Sequence, residues 1–140
     1  MILLDTDHLS IVTNPHAAGH GTLFRRLDHS NEPLAVPVIS VEEQCKGWLA
    51  KIHHTRDLRQ QIPAYQRLED LFHFFRDWEI ASWETTAVDV FDQLRAQKLR
   101  IGSQDLKIAS IALVHDALLL SANARDIRKV PGLRVESWLG

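Results

Sequence analysis

Ile2-Leu3-Leu4-Asp5-Thr6-Asp7 is the stretch on which the fold turns. Its three leading residues are apolar without alternation, and the run stops at a carboxylate. A strand with one wet face alternates polar and apolar side chains, whereas a strand covered on both faces is apolar throughout. The run is therefore expected as a buried parallel strand, with Asp5 and Asp7 just past its carboxyl end. Open parallel sheets bind ligands outside those ends. Acids that recur at that position are candidates for chemistry.

Working outward, Leu34-Ala35-Val36-Pro37-Val38-Ile39 reads as a second strand. Pro37 lacks a ladder donor, which places that position near an edge or a bulge. Ser40 reads as the cap of a helix whose apolar residues Val41, Cys45, Trp48, Leu49 and Ile52 follow the 3.6-residue period. Residues 13–22, with Pro15, Gly19 and Gly21, read as a loop. Asp57 to Trp78 is helical in rhythm, with Pro63 marking a break or a start. Residues 78–82 suit a short strand and Ala87 to Leu99 an amphipathic helix. Ser103 is expected to cap a helix reaching about His115. Ala117 to Ser121 is a third strong strand, and Leu133 to Glu136 a weaker fourth. This alternation predicts one α/β domain over residues 1–140 with a mainly parallel central sheet.

The composition bounds the function. The chain has 140 residues, 45% hydrophobic and 24% charged, which excludes a disordered or fibrous protein. Sixteen Lys and Arg against eighteen Asp and Glu give a net charge of -2, without the basic excess usual in nucleic-acid binders. The single cysteine, Cys45, excludes an internal disulfide. No secretory signal or membrane span is visible, so a cytoplasmic location is expected.

The acids at the strand ends come from separate segments. Asp5 and Asp7 follow the first strand, and Glu42 and Glu43 stand in the first turn after Ser40. Asp105 lies in the first turn after Ser103, and Asn123 and Asp126 follow Leu118-Leu119-Leu120. Each has an ordinary structural explanation, such as the capping-box spacing of Ser40 and Glu43 or an acid at the positive end of a helix. Jointly, clustered carboxylates repel unless a cation holds them, and an all-oxygen set suits Mg²⁺ or Mn²⁺. Between the two glutamates the residues leave a choice: the apolar face favours Glu42, the capping spacing Glu43. His16 and His20 have the spacing of a helical metal pair, but the adjacent glycines argue for a loop.

Four segments carry a resemblance. Ile2 to Ser10, Val38 to Glu43, Gly102 to Ala109 and Leu119 to Trp138 resemble, in that order, the motif segments of PIN-domain proteins, above all the VapC-type toxin ribonucleases. The resemblance implies a three-layer α/β/α fold and a metal-dependent endoribonuclease leaving a 5′-phosphate and a 3′-hydroxyl. It implies Asp5, Glu43, Asp105 and Asp126 as metal ligands for Mg²⁺ or Mn²⁺, with Asp7, Asn123 and Ser103 assisting. It also implies a homodimer and a cognate VapB-type antitoxin that blocks the site. Lys46, Arg100, Lys107 and Arg125 flank these acids and are candidates for RNA phosphates. The stretch Tyr65, Leu68, Leu71, Phe72, Phe75 and Trp78 reads mainly as core, with a partner surface as the alternative.

Two other readings are carried forward. Asp5-Thr6-Asp7 also resembles the Asp-x-Asp of haloacid-dehalogenase-type phosphatases, whose first Asp is a nucleophile. A PIN-like module binding RNA or protein without catalysis is the non-enzymatic alternative.

Overall fold

A computed structural model describes residues 1–139. Its strands are β1 (Ile2–Leu4), β2 (Leu34–Pro37), β3 (Glu79–Ala81), β4 (Leu118–Leu120) and β5 (Arg134–Glu136). They form one sheet in the order β3-β2-β1-β4-β5, with every pairing parallel. Because β1 is central, its side chains meet protein on both faces, which is why Ile2-Leu3-Leu4 carries no polar residue. Leu3 packs with Ala35 and Leu119 on one face. Ile2 and Leu4 pack with Val36 and Leu120 on the other.

The helices are α1 (Thr6–Val12), α2 (His20–His29), α3 (Val38–His54), α4 (Ile62–Phe74), α5 (Thr85–Ala96), α6 (Ser103–Val114) and α7 (Ala124–Ile127). Leu9 and Val12 of α1 with Leu23 and Leu27 of α2 cover one face of the sheet. Leu94 of α5 with Leu106, Ile108 and Ile111 of α6 cover the other. The result is the expected three-layer α/β/α arrangement. Leu3, Leu4 and Leu119 are fully buried, and truncating any of them to Ala costs about 2–5 kcal/mol.

Several local expectations are corrected. The second strand ends at Pro37 rather than Ile39, and Pro37 is the N-cap of α3. β2 is flanked by β3 and β1, so Pro37 marks no edge; it sits where the strand gives way to the helix. Ser40 is consequently not a cap. It is buried inside α3, and its Oγ donates to the Leu4 carbonyl at 3.3 Å, tying the helix to the end of β1. Ser103 is likewise the first helical residue behind an N-cap at Gly102, with no capping side chain. The stretch 13–22 is a loop only as far as Gly19, since α2 starts at His20, whose Nε2 lies 3.2 Å from the Val12 carbonyl. In and after α4, Leu71 is buried but Tyr65 and Phe72 are exposed, so that stretch is less of a core than its rhythm implies.

Candidate active site

The strand order reverses direction at β1: the chain first winds outward through β2 and β3, then returns to β4 and β5. The crevice at the carboxyl ends of β1 and β4 is thus the topological switch point, where doubly wound sheets place their ligands. Asp5 occupies it. Its backbone N–H donates to Leu120 of β4 at 2.9 Å, and its side chain caps α1.

Both Asp5 oxygens are held. Oδ1 accepts from the His8 backbone N–H at 2.9 Å and lies 2.8 Å from His8 Nδ1. Oδ2 accepts from the Ala122 N–H at 2.9 Å, across the crevice from β4. His8 is fully buried, and its Nε2 accepts the Trp138 backbone N–H at 3.0 Å. That acceptor role leaves the ring proton on Nδ1, where it donates to Asp5. Burial pushes the Asp5 carboxyl upward, but the bonds from His8 and Ala122 outweigh it and hold Asp5 below the usual carboxylate range. Oδ1 is saturated by two donors, and Oδ2 keeps one lone pair free. Such a carboxylate is held in place by three donors, which leaves it little freedom to act as a mobile nucleophile.

Glu43 reaches the same crevice from α3. Thr6 Oγ1 donates to Glu43 Oε1 at 2.8 Å. Gln44 braces Thr6 from behind, donating through Nε2 to the Thr6 carbonyl at 3.0 Å and lying against Ser10 Oγ. The capping box is thereby corrected: Glu43 is directed to α1, not back to Ser40. Glu42 is exposed and accepts from Gln104 Nε2 at 3.1 Å on the outer side. Of the two glutamates, Glu43 is the one turned toward Thr6 and near the charges of Asp5 and Asp105.

Asp105 enters from the first turn of α6, and Asn123 Nδ2 donates to its Oδ2 at 3.0 Å. The electrostatics join these groups. Burial raises the Glu43 carboxyl, against the Thr6 bond, and the charges of Asp105, Glu42 and Asp5 raise it further. Desolvation and the charges of Asp5 and Asp105 raise Asp7. Asp5 and Asp105 therefore act on both Asp7 and Glu43, although the four come from three chain segments.

The other expected residues lie further out. Asp126 is half-exposed in α7, pairs with Lys129 at 3.6 Å, and is not among the charges acting on Glu43 or Asp7. Lys46 lines a cleft with Glu42, Glu43 and Gln104. Lys107 lies 5.9 Å from the Trp83 ring centroid. Arg100 and Arg125 are exposed and make no ion pair among the described residues. His8, Thr6 and Gln44 escape a reading that collects acids alone. The signal for His8 is its place three residues after the cap Asp5, where one helical turn returns the chain to the same point.

Among the described residues no group of three or more His, Cys, Asp or Glu side chains is arranged to hold a metal ion by itself. The donor chemistry still fits a hard cation: all-oxygen, mutually repelling, with one Asp5 lone pair and the second oxygens of Glu43 and Asp105 unengaged in the bonds above. Mg²⁺ keeps several waters and takes only one or two protein carboxylates in many sites, so a closed cage is not required.

No family model matches the chain, and no curated protein sequence matches it. Solved structures do. The chain is similar to VapBC2 from Rickettsia felis bound to a DNA fragment from their promoter, with a TM-score of 0.78 at 24% identity, covering 99% of this chain and 100% of that one. DNA-bound VapBC from Salmonella typhimurium gives 0.78 at 20%, over 99% and 98%. VapBC-1 from nontypeable Haemophilus influenzae gives 0.71 at 21%, over 99% and 98%. Matched over nearly the full length of both chains, the all-parallel three-layer chain shares the fold of these VapBC structures.

Proposed function

We propose that the protein is a metal-dependent endoribonuclease, the toxin of a toxin–antitoxin pair, with Asp5, Glu43 and Asp105 holding Mg²⁺ or Mn²⁺. The observation that carries this reading is the convergence of these acids at the switch point, where the charges of Asp105 and Asp5 help to raise the Glu43 carboxyl and, among the described residues, no Lys or Arg forms an ion pair with them. When bound, the cation polarises the phosphodiester and activates a water as nucleophile. The chain's own residues supply the framework. His8 and the Ala122 N–H fix Asp5 so that only Oδ2 is offered. Thr6 orients Glu43, and Asn123 orients Asp105. Lys46 stands beside the acids, suited to a substrate phosphate. Asp7 assists through its charge, and Asp126 contributes from the outer turn of α7.

An antitoxin partner accords with the neighbours being toxin–antitoxin complexes, and a homodimer uses apolar surface such as Tyr65 and Phe72. Among the described residues no helix is long and apolar enough to cross a membrane; a cytoplasmic site of action is part of the proposal. The test is cleavage of total cellular RNA by purified protein in Mg²⁺ or Mn²⁺, in EDTA, and by Asp105→Asn. Cleavage is expected only from the parent with metal. Cleavage that persists in EDTA or in folded Asp105→Asn refutes the site, and a protein that binds RNA yet never cuts it is the binding module instead.

A further inference from the structure

Past β5 the chain turns back to the acids. The Trp138 backbone N–H donates to His8 Nε2 at 3.0 Å, bridging 130 positions of sequence. Trp138 is itself anchored by its side chain. The Arg26 guanidinium of α2 lies 4.1 Å from its ring centroid, a cation over an aromatic face. Its Nε1 donates to Glu136 Oε2 at 2.8 Å, and Arg26 stands 3.9 Å from that same oxygen. The ring also packs against the cluster that holds Leu4, Leu9 and Val12.

His8 is fully buried, where a leucine would fill space without two polar atoms to satisfy. What the imidazole adds is a rigid plane with two separate nitrogens, each able to bond. Nδ1 lies 2.8 Å from Asp5 Oδ1, and Nε2 takes the Trp138 N–H. A plane held at one nitrogen is free to pivot, whereas one held at both keeps its partner in place. Turning the ring over breaks both bonds at once. The line Arg26–Trp138–His8–Asp5 therefore fixes the Asp5 carboxylate from one side, while the Ala122 N–H meets Oδ2 from the other at 2.9 Å.

We infer that Trp138 is a positioning residue for the site: its backbone N–H, acting through His8, holds Asp5 in the orientation that offers Oδ2. The inference rests on the metal-site reading above and adds to it a residue that acts only through another. Loss of a partner directly behind a metal ligand costs about 10–100-fold in metal affinity. Trp138 stands one step further back, behind His8, which puts the expected loss at the lower end, about tenfold. The backbone atom carries the role and the indole anchors it. Proline is therefore the informative replacement, because it has no N–H to donate.

The test reads the site both without metal and with it. The ¹⁵N-labelled full chain is observed by NMR in EDTA, and Mn²⁺ alone is titrated into the metal-free protein by calorimetry. In the parent the His8 Nδ1–H is expected as a slowly exchanging signal. Trp138→Pro is expected to lose that signal and to shift the Ala122 amide as Asp5 turns. It is also expected to bind Mn²⁺ about tenfold more weakly than the parent. Trp138→Phe keeps both the N–H and a ring for Arg26, and is expected to match the parent. Trp138→Ala keeps the N–H alone and is expected to fall between. Arg26→Ala, on the exposed side of α2, leaves the tail sequence intact and is expected to move the same two signals by less. Signals unmoved in folded Trp138→Pro, or in Arg26→Ala where Trp138→Pro does not fold, overturn the proposal. Trp138→Ala as weak for Mn²⁺ as Trp138→Pro also overturns it, because the indole rather than the N–H then carries the effect. A parent that binds no Mn²⁺ refutes the metal-site reading, and the Ala122 amide in Trp138→Pro against Trp138→Ala still decides whether Trp138 holds Asp5.

Discussion

Asp5→Asn is the substitution that tests the site most directly, and the structure says it is not silent for stability. Three N–H groups converge on the carboxylate: the backbone and Nδ1–H of His8 on Oδ1, and the Ala122 N–H on Oδ2. An asparagine offers one oxygen. Turned toward His8, it keeps two bonds and points its NH₂ at the Ala122 donor; turned the other way, it loses two. At 6% exposure, water does not readily replace the missing acceptor. Losing one charge-assisted bond costs about 1.5–3 kcal/mol. Relief of the repulsion felt by Asp7 and Glu43, both partly exposed, returns less than about 1 kcal/mol. The net loss is about 2 kcal/mol at pH 7, or roughly 4–10 °C in Tm for a domain of this size. The assay is urea unfolding followed by far-UV circular dichroism. Because the folded Asp5 carboxyl lies below its ordinary value, its stabilisation is present above that ordinary value and is lost as pH falls through the folded one. The gap between variant and parent therefore narrows in acid. A variant within about 0.5 kcal/mol of the parent at pH 7 refutes the three-donor account of Asp5.

Other expectations follow from the same geometry. Glu43→Gln is expected to abolish metal-dependent cleavage while leaving stability at pH 8 no lower than the parent's, because Thr6 keeps an acceptor and a desolvated charge is removed; a large fall in urea midpoint contradicts this. Glu43 and Asp7 have raised proton affinity in the folded state, so they lower stability as pH rises through their folded values and cease to do so in acid. Mg²⁺ is accordingly expected to raise Tm at pH 8, by about 2.7 kcal/mol of stabilisation at a hundredfold excess over Kd, and to lose that effect near pH 4; calorimetry at the two pH values decides. Asn123→Ala, which frees Asp105, is expected to reduce kcat more than Asp126→Asn, whose described partner is Lys129. The reverse order in single-turnover cleavage places Asp126 nearer the chemistry than Asn123.

The acids at the strand ends were legible because their position depends only on where apolar runs stop. Asp5 after Leu4 needed nothing more than that, whereas Asp105 was placed by a helix start, which holds although its cap is Gly102 rather than Ser103. The start of α3 was not legible: Val38 and Ile39 are β-branched and continue a strand pattern, yet Pro37 with its fixed φ ends the strand and caps the helix. Once the start moved back to Val38, Ser40 became an interior residue and the capping box lost its geometry. Glu43 then faced Thr6, which a spacing rule does not reveal because the two residues lie 37 positions apart.

By itself the sequence determined the parallel α/β class, the buried central strand and which carboxylates its segments can bring toward the carboxyl end of the sheet. These follow from hydrophobic pattern and residue type, which are local. Only the tertiary structure decided which glutamate turns inward, that Asn123 rather than Asp126 touches Asp105, and that His8 is spent on Asp5. Those outcomes depend on how α1, α3, α6 and β4 meet at the switch point. Pairings between distant segments are set by packing and by the crossover at β1, not by the spacing of residues along any one of them.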